Sequence, residues 1–399
     1  MHAFPKMIEA TRLTRAGRLK EAMDVLRGGL SRAPQTATSA GDARPSPADG
    51  IHPTLDMLPP SLENGGSWTS PQTADTPAGP PAGIRKLLDG LGRLRPAARH
   101  APKVRRVPAP LPKGAQFGEY LYANAAGARG YKLYVPSGYR GQAVPLVVML
   151  HGCTQSPDDF AAGTRMNEVA EEQTFLVAWP AQPQSANPSK CWNWFNAGEQ
   201  QRDRGEPSLI AGITRQVMRD FAVAPGRVYI AGLSAGGAAA AIMGATYPDL
   251  YAAIGVHSGL ACGAASDIPS AFAAMKQGGS PLAHSRRLGG GVATIVFHGD
   301  QDATVNPVNG DQVIAQSKAA ADLRATISRG EAPGGIRFTR TVQADEHGRV
   351  MLEQWVLHGA GHAWSGGSEE GSYTEPRGPD ASREMIRFFL QHPSAAMSP

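Results

Sequence analysis

Long apolar runs are missing from this 399-residue chain, and none approaches the ~18–20 residues needed to cross a bilayer. The opening stretch MHAFPKMIEATRLTRAGRLK also lacks the continuous apolar core of a secretory signal. A cytoplasmic or granule-associated protein is the expectation. Cysteine is scarce: Cys153, Cys191 and Cys262 are too few for a disulfide scaffold, and their spacing fits no zinc site. Neither a metal nor an organic cofactor is implied. Propeller-like repeats are absent, which argues against a gated peptidase. A basic excess is absent from the larger part of the chain. The formal +5 is concentrated upstream, with about +8 over residues 83–113 against about −3 after Lys113. Nucleic-acid binding by the main domain therefore has no support.

What the chain has in abundance is glycine (47) and proline (33), unevenly spread. Residues 1–30 carry Leu19, Met23, Leu26 and Leu30 at three- and four-residue steps, the pattern of an amphipathic helical segment. Residues 31–113 read as a Pro-rich disordered linker, because so few large apolar side chains cannot offset the entropy of ordering. Within it, the basic stretch 83–107 places Ile84, Leu87, Leu88, Leu91 and Leu94 on one face of a short helix. That face could rest on a granule or membrane surface, or the stretch could be a solvated leader to the domain. Residues 114–393 have a different texture. Short apolar runs (VPLVVMLHG, TFLVAWP, RVYIAGL, AAIGVHSG, VATIVFHG, EQWVLHG) alternate with amphipathic stretches. Continuous apolar strands separated by helices predict a mostly parallel sheet covered on both faces, an α/β fold. Functional residues then collect in the loops at the C-terminal strand ends.

The run RVYIAGLSAGGAAAAIMGATYP places Ser234 between a buried strand and a helix of small residues. A serine on that sharp turn is lifted above the sheet, flanked by glycines because side chains would clash there. Its hydroxyl becomes a nucleophile only with a base and an orienting carboxylate, in the chain order Ser, Asp or Glu, His. HGDQDATV supplies Asp300 and Asp302, and LHGAGHAW supplies His358 and His362. Asp300 and His358 sit close to their strand ends and read as structural. Asp302 and His362 lie further out, within reach of Ser234. His151, His257 and His298, also near strand ends, read as hydrogen-bonded loop residues. An oxyanion hole needs two backbone amides, one from Ala235 and one from the loop after VPLVVMLHG.

Together LHGCTQ, CWNWF, GLSAGG, HGDQDATV and GAGHAW resemble the poly(3-hydroxybutyrate) depolymerase family of esterases, over roughly residues 115–392. The resemblance implies an α/β-hydrolase fold with Ser234 as nucleophile, His362 as general base and Asp302 as its carboxylate. The family's HGC element puts the Cys153 amide in the oxyanion hole beside Ala235. It also implies an ester or polyester substrate, with feruloyl or acetylxylan esterase activity as the alternative. A non-catalytic granule-surface binder on a hydrolase scaffold is the reading from another class. Many relatives are secreted, so an extracellular location is the alternative to a cytoplasmic one. Cys153 and Cys191 both fall in site loops, bridged in an oxidising compartment and reduced in the cytoplasm. Trp192, Trp194 and Trp364 lie close in sequence to the site and are expected to contribute to a substrate cleft, Trp192 and Trp364 above all.

Overall fold

The computed structural model describes residues 110–279, 291–318 and 322–394. The expected helical segment 1–30 and the basic stretch 83–107 lie outside the described residues.

The described chain begins with a hairpin, β1 (Gln116–Asn124) and β2 (Gly127–Val135), turning at the alanines between them. The apolar runs then form β3 (Val144–Leu150), β4 (Leu176–Pro180), β5 (Val223–Leu233), β6 (Ala253–His257), β7 (Ala293–Gly299) and β10 (Val350–Leu357). Between β7 and β10 lie β8 (Arg324–Glu331) and β9 (Arg337–Ala344). All ten make one sheet, ordered β1-β2-β4-β3-β5-β6-β7-β10-β9-β8. The six central strands from β4 to β10 run parallel. An antiparallel pair closes each edge. β4, β6 and β7 are buried at every position, as expected for strands covered on both faces.

Helices α1 (Pro157–Thr164), α2 (Met166–Gln173), α3 (Gly205–Asp220), α4 (Ala235–Thr246), α5 (Ile268–Gln277), α6 (Val308–Ser317) and α7 (Ala381–Leu390) supply the covering. Adjacent residues of β6 show how both faces are used. A side chain on α4's Gly244 would collide with Ile254, whereas one on Gly255 would collide with Met385 and Phe389 of α7. Side chains alternate along a strand, so α4 and α7 cover opposite faces. Asp380 caps α7 by accepting the Arg383 N–H at 2.9 Å, and Met385, Ile386, Phe388 and Phe389 behind it are buried. Each such burial contributes roughly 1.5–3 kcal/mol before entropy is subtracted. The short sheet β11 (Trp364–Ser365) and β12 (Thr374–Glu375) folds the segment between β10 and α7.

Candidate active site

Strand register brings five C-terminal ends to one edge. Leu150 pairs with Gly232, Leu233 with His257, His257 with Phe297, and Gly299 with Leu357. The loops leaving β3, β5, β6, β7 and β10 therefore emerge side by side.

Ser234 stands at the end of β5 with φ 57° and ψ −119°, a conformation that an L-residue rarely adopts. Such a backbone costs on the order of 1–3 kcal/mol and persists only where its surroundings enforce it. Here they do. A Cβ on Gly232 would fall 2.3 Å from the Gly236 backbone, and one on Gly236 would fall 2.0 Å from the Leu150 carbonyl oxygen. The Ser234 N–H donates to the His257 carbonyl at 2.9 Å, and its own carbonyl accepts from Ala238, the first bond of α4. Ser234 is half-buried while Ala235 to Gly244 are all buried. The turn thus presents this serine at the head of a helix whose N-terminal dipole favours negative charge.

Asp302 and His362 are in direct contact, with His362 Nδ1 donating to Asp302 Oδ2 at 2.7 Å. Asp302 Oδ1 accepts the N–H groups of Thr304 and Val305 at 2.9 and 2.8 Å. His298 Nε2 adds a donor, 2.8 Å from the Val305 carbonyl and 3.4 Å from Asp302 Oδ2. With two acceptors facing Nε2, that nitrogen of His298 carries the hydrogen. Burial alone would push the Asp302 carboxyl up. The imidazoles of His362 and His298 outweigh it and hold the group well below the usual carboxylate range. Asp302 is therefore an ionised acceptor that fixes the His362 tautomer, leaving the lone pair on Nε2.

The loops that carry these two residues are pressed together. Gln301 N–H donates to Ala360 and Asp300 N–H to Leu357, both at 3.0 Å. A second, outer pair clamps them: His358 Nδ1 meets Asp300 Oδ2 at 2.9 Å, and Gly359 N–H meets Asp300 Oδ1 at 2.7 Å. His257 links the two halves of the site. Its carbonyl takes the Ser234 N–H, and its Nε2 takes the Ser365 N–H at 3.0 Å, three residues past His362. Its imidazole, wholly buried and stacked on Phe297 and Trp364, is held neutral by burial, its pKa far below the ordinary value.

The loop after β3 passes over Ser234: a Cβ on Gly152 would sit 3.7 Å from the Ser234 Cβ. Cys153 is bonded to Cys191 in a disulfide, so the pairing that the sequence leaves open is closed. Cys262 is buried outside the bridge. Thr154 N–H donates to Ser189 at 2.7 Å, and the Trp192 indole donates to the His151 carbonyl at 3.1 Å. Ala235 thus follows Ser234 directly in sequence, and Cys153 follows the glycine that packs beside it. Among the described residues, His, Cys, Asp and Glu form no group of three placed to hold a metal ion. No described helix is long and apolar enough to cross a membrane.

The expectation of a tryptophan-lined cleft needs correction. Trp192 is 0% exposed and Trp364 1%. Trp364 donates to Ser382 Oγ at 3.1 Å and packs edge-on against Phe160, which makes it a core residue. Trp194 is also buried, its ring edge-on to Phe195, the partly exposed aromatic of that loop. The loop that carries Trp192 and Trp194 is anchored by Glu206 at the start of α3. This buried carboxylate accepts Asn193 N–H at 2.8 Å, Asn193 Nδ2 at 2.7 Å, and the Gln182 amide. It ties the loop to α3, and both indoles of that loop lie in the core. Sequence proximity to the site gave no sign of this anchor.

Comparison with known proteins agrees with the fold and narrows the family. The chain is 32% identical over 239 residues to poly(3-hydroxyalkanoate) depolymerase C of Paucimonas lemoignei, covering 57% of each. It is 25% identical over 236 residues to feruloyl esterase B of Thermothelomyces thermophilus, covering 55% of this chain and 78% of that one. The chain thus spans little more than half the length of the depolymerase. Among solved structures, acetyl xylan esterase from Aspergillus awamori superposes with a TM-score of 0.55 at 19% identity, over 69% of this chain and 99% of that one. The described domain has the α/β-hydrolase fold. The family model described as esterase PHB depolymerase matches residues 129–332, and the chain belongs to that family.

Proposed function

We propose that the protein is a serine carboxylic-ester hydrolase acting on poly(3-hydroxybutyrate), its oligomers and short-chain esters. The observation that carries this reading is the buried Asp302–His362 pair at the same strand-end edge as the strained Ser234. Ser234 Oγ attacks the ester carbonyl and its proton passes to His362 Nε2. Asp302 stabilises the imidazolium through Nδ1. The oxygen that becomes negative takes the amides of Cys153 and Ala235. Collapse breaks the C–O bond, His362 returns the proton to the leaving alkoxide, and an acyl-enzyme remains. Water, deprotonated by His362, then releases the acid and restores Ser234.

The polyester reading draws on the similarity to a polyhydroxyalkanoate depolymerase. A second reading, cleavage of feruloyl or acetyl groups from carbohydrate, draws on the feruloyl esterase. Both use one mechanism, so substrate range decides. Hydrolysis of 3-hydroxybutyrate oligomers, ethyl ferulate and acetylated xylan by wild type and Ser234→Ala tests both points. Oligomer cleavage lost in Ser234→Ala supports the first reading. A wild type acting only on the carbohydrate esters would replace it with the second, and a folded wild type inactive on all three would favour the granule-surface binder. We further propose that stretch 83–107 brings the enzyme to a granule surface. Unchanged granule partition after deletion of residues 1–110 would refute that. Of the two locations, the Cys153–Cys191 bridge favours the extracellular, oxidising one.

A further inference from the structure

We propose that Gln155 is a positioning residue for ester cleavage, its side-chain amide fixing the Gly152 N–H, one residue before the Cys153 N–H, and tying that loop to the segment downstream of His362. The inference rests on the reading of Ser234, Asp302 and His362 above.

Gln155 is 2% exposed, and both ends of its amide are engaged. Oε1 accepts the Gly152 N–H at 2.9 Å. Nε2 donates to Asp159 Oδ2 at 2.9 Å and to the Ser372 carbonyl at 3.1 Å, with Ser372 Oγ at 3.3 Å. The partners fix the polarity. The Gly152 N–H is a donor and the Ser372 carbonyl only an acceptor, so a flipped amide would set donor against donor and acceptor against acceptor. Asp159 Oδ1 in turn accepts the Ser372 N–H at 3.0 Å, and Asp159 Oδ2 accepts the Ser372 hydroxyl. One chain of hydrogen bonds, buried at Gln155 and partly buried beyond it, therefore joins the loop after β3, helix α1 and the loop that follows His362.

Gly152 lies between this amide and the nucleophile. A Cβ there would be 3.1 Å from Gln155 Oε1 and 3.7 Å from the Ser234 Cβ. Turning the Gly152 N–H towards Gln155 removes that amide from the site. The Thr154 N–H is committed to Ser189 at 2.7 Å, and the Gln155 N–H to Gly152 at 3.4 Å. Of the four amides from 152 to 155, that of Cys153 is the one without an acceptor among the described residues. It is therefore the one available to a developing oxyanion. Gln155 determines which amide faces the site and holds it still, and a donor displaced by even 1 Å forfeits much of its effect on the transition state.

Gln155→Met fills nearly the same volume without either hydrogen bond. Its kcat on p-nitrophenyl butyrate is expected to fall about 10- to 100-fold, with KM within about threefold. Affinity for a simple alkylboronic acid, which forms a tetrahedral adduct with the serine oxygen, should fall by the same factor as kcat/KM. Gln155→Glu keeps the acceptor for Gly152 but sets a second carboxylate against Asp159, and its kcat should fall between the two. A merely structural residue would lower Tm while leaving kcat per folded molecule and boronate affinity unchanged, and that result overturns the proposal. If Gln155→Met does not fold, boronate affinity of Gln155→Glu decides in the same way. Ser234→Ala is assayed alongside. If it is inactive while Gln155→Met turns over at the wild-type rate, this inference alone fails; if Ser234→Ala remains active, the reading of the site fails with it.

Discussion

Acid should destabilise this fold through His151, and the size of the effect follows from its surroundings. The imidazole is fully buried. Nδ1 donates to the Gly152 carbonyl at 2.7 Å, and Nε2 accepts the Gln182 N–H at 3.1 Å. A proton added at Nε2 would face the Gln182 N–H, donor against donor. Burial, only partly countered by the Gly152 carbonyl, pushes the group down from 6.5 to about 4. The sign follows: between these values the unfolded chain binds a proton that the folded protein refuses, so stability falls as pH falls through 6.5, and the loss is complete below about 4. Between pH 7 and pH 5 the linkage relation gives a loss of about 2 kcal/mol for this one group. His257 acts in the same direction. The buried Glu206, whose carboxyl burial pushes up, acts in the other, so the wild-type slope alone is a poor test. The sharper comparison is His151→Gln, which can keep the acceptor for Gln182 but does not titrate. Urea unfolding at pH 7 and pH 5 should show the variant losing about 2 kcal/mol less than wild type over that interval. Equal losses in the two proteins would refute the assignment of His151 as a neutral, buried imidazole.

Three further outcomes follow from the packing. Trp364→Ala should cost about 3–5 kcal/mol in urea unfolding and leave KM for a soluble ester unchanged; a raised KM with intact stability would return the indole to the substrate. Gly236→Ala must displace the Leu150 carbonyl, because the added carbon falls 2.0 Å from its oxygen. It should give insoluble or inactive protein, and full specific activity would show that the turn tolerates what its geometry forbids. Cys191→Ser opens a bridge between residues 38 apart, worth about 4 kcal/mol by chain entropy. It should also lower kcat more than it raises KM, since the bridge holds the Cys153 peptide; an unchanged kcat would separate the disulfide from the oxyanion loop.

Most of the parallel sheet could be read from sequence because its strands are apolar without alternation, and that pattern has one physical use: burial on both faces. The edge pair was not legible for the opposite reason. RATISRGE in β8 is exposed at nearly every position, so no periodicity marks it as a strand. The turn at Ser234 was legible because its glycines are imposed by backbone contacts, and backbone contacts do not depend on neighbouring side chains. The pairing of Asp302 with His362, rather than with His358, could be approached by counting residues beyond the strand ends. The structure shows why counting helps: Asp300 and His358 use the first positions to clamp the two loops, and the inner pair forms two and four residues later.

The remaining features depend on partners far along the chain. The polar loop that carries Trp192 and Trp194 is tied down by Glu206, a residue type usually found at the surface. The Cys153–Cys191 bridge required two loops to meet, and a lone glutamine in LHGCTQ gave no reason to suspect a buried amide. These groups share a location. The disulfide, the Trp192–His151 bond and the Gln155 amide all brace the loop after β3, whereas Asp300 and His358 brace the loops that carry Asp302 and His362. The strained serine sits where the two braced halves meet. Its backbone cost of on the order of 1–3 kcal/mol is borne in a turn whose glycines leave no room for a side chain. Residue types can announce a nucleophile, but the rigidity that lets it stand in that conformation comes from polar side chains whose roles appear only once the loops are folded together.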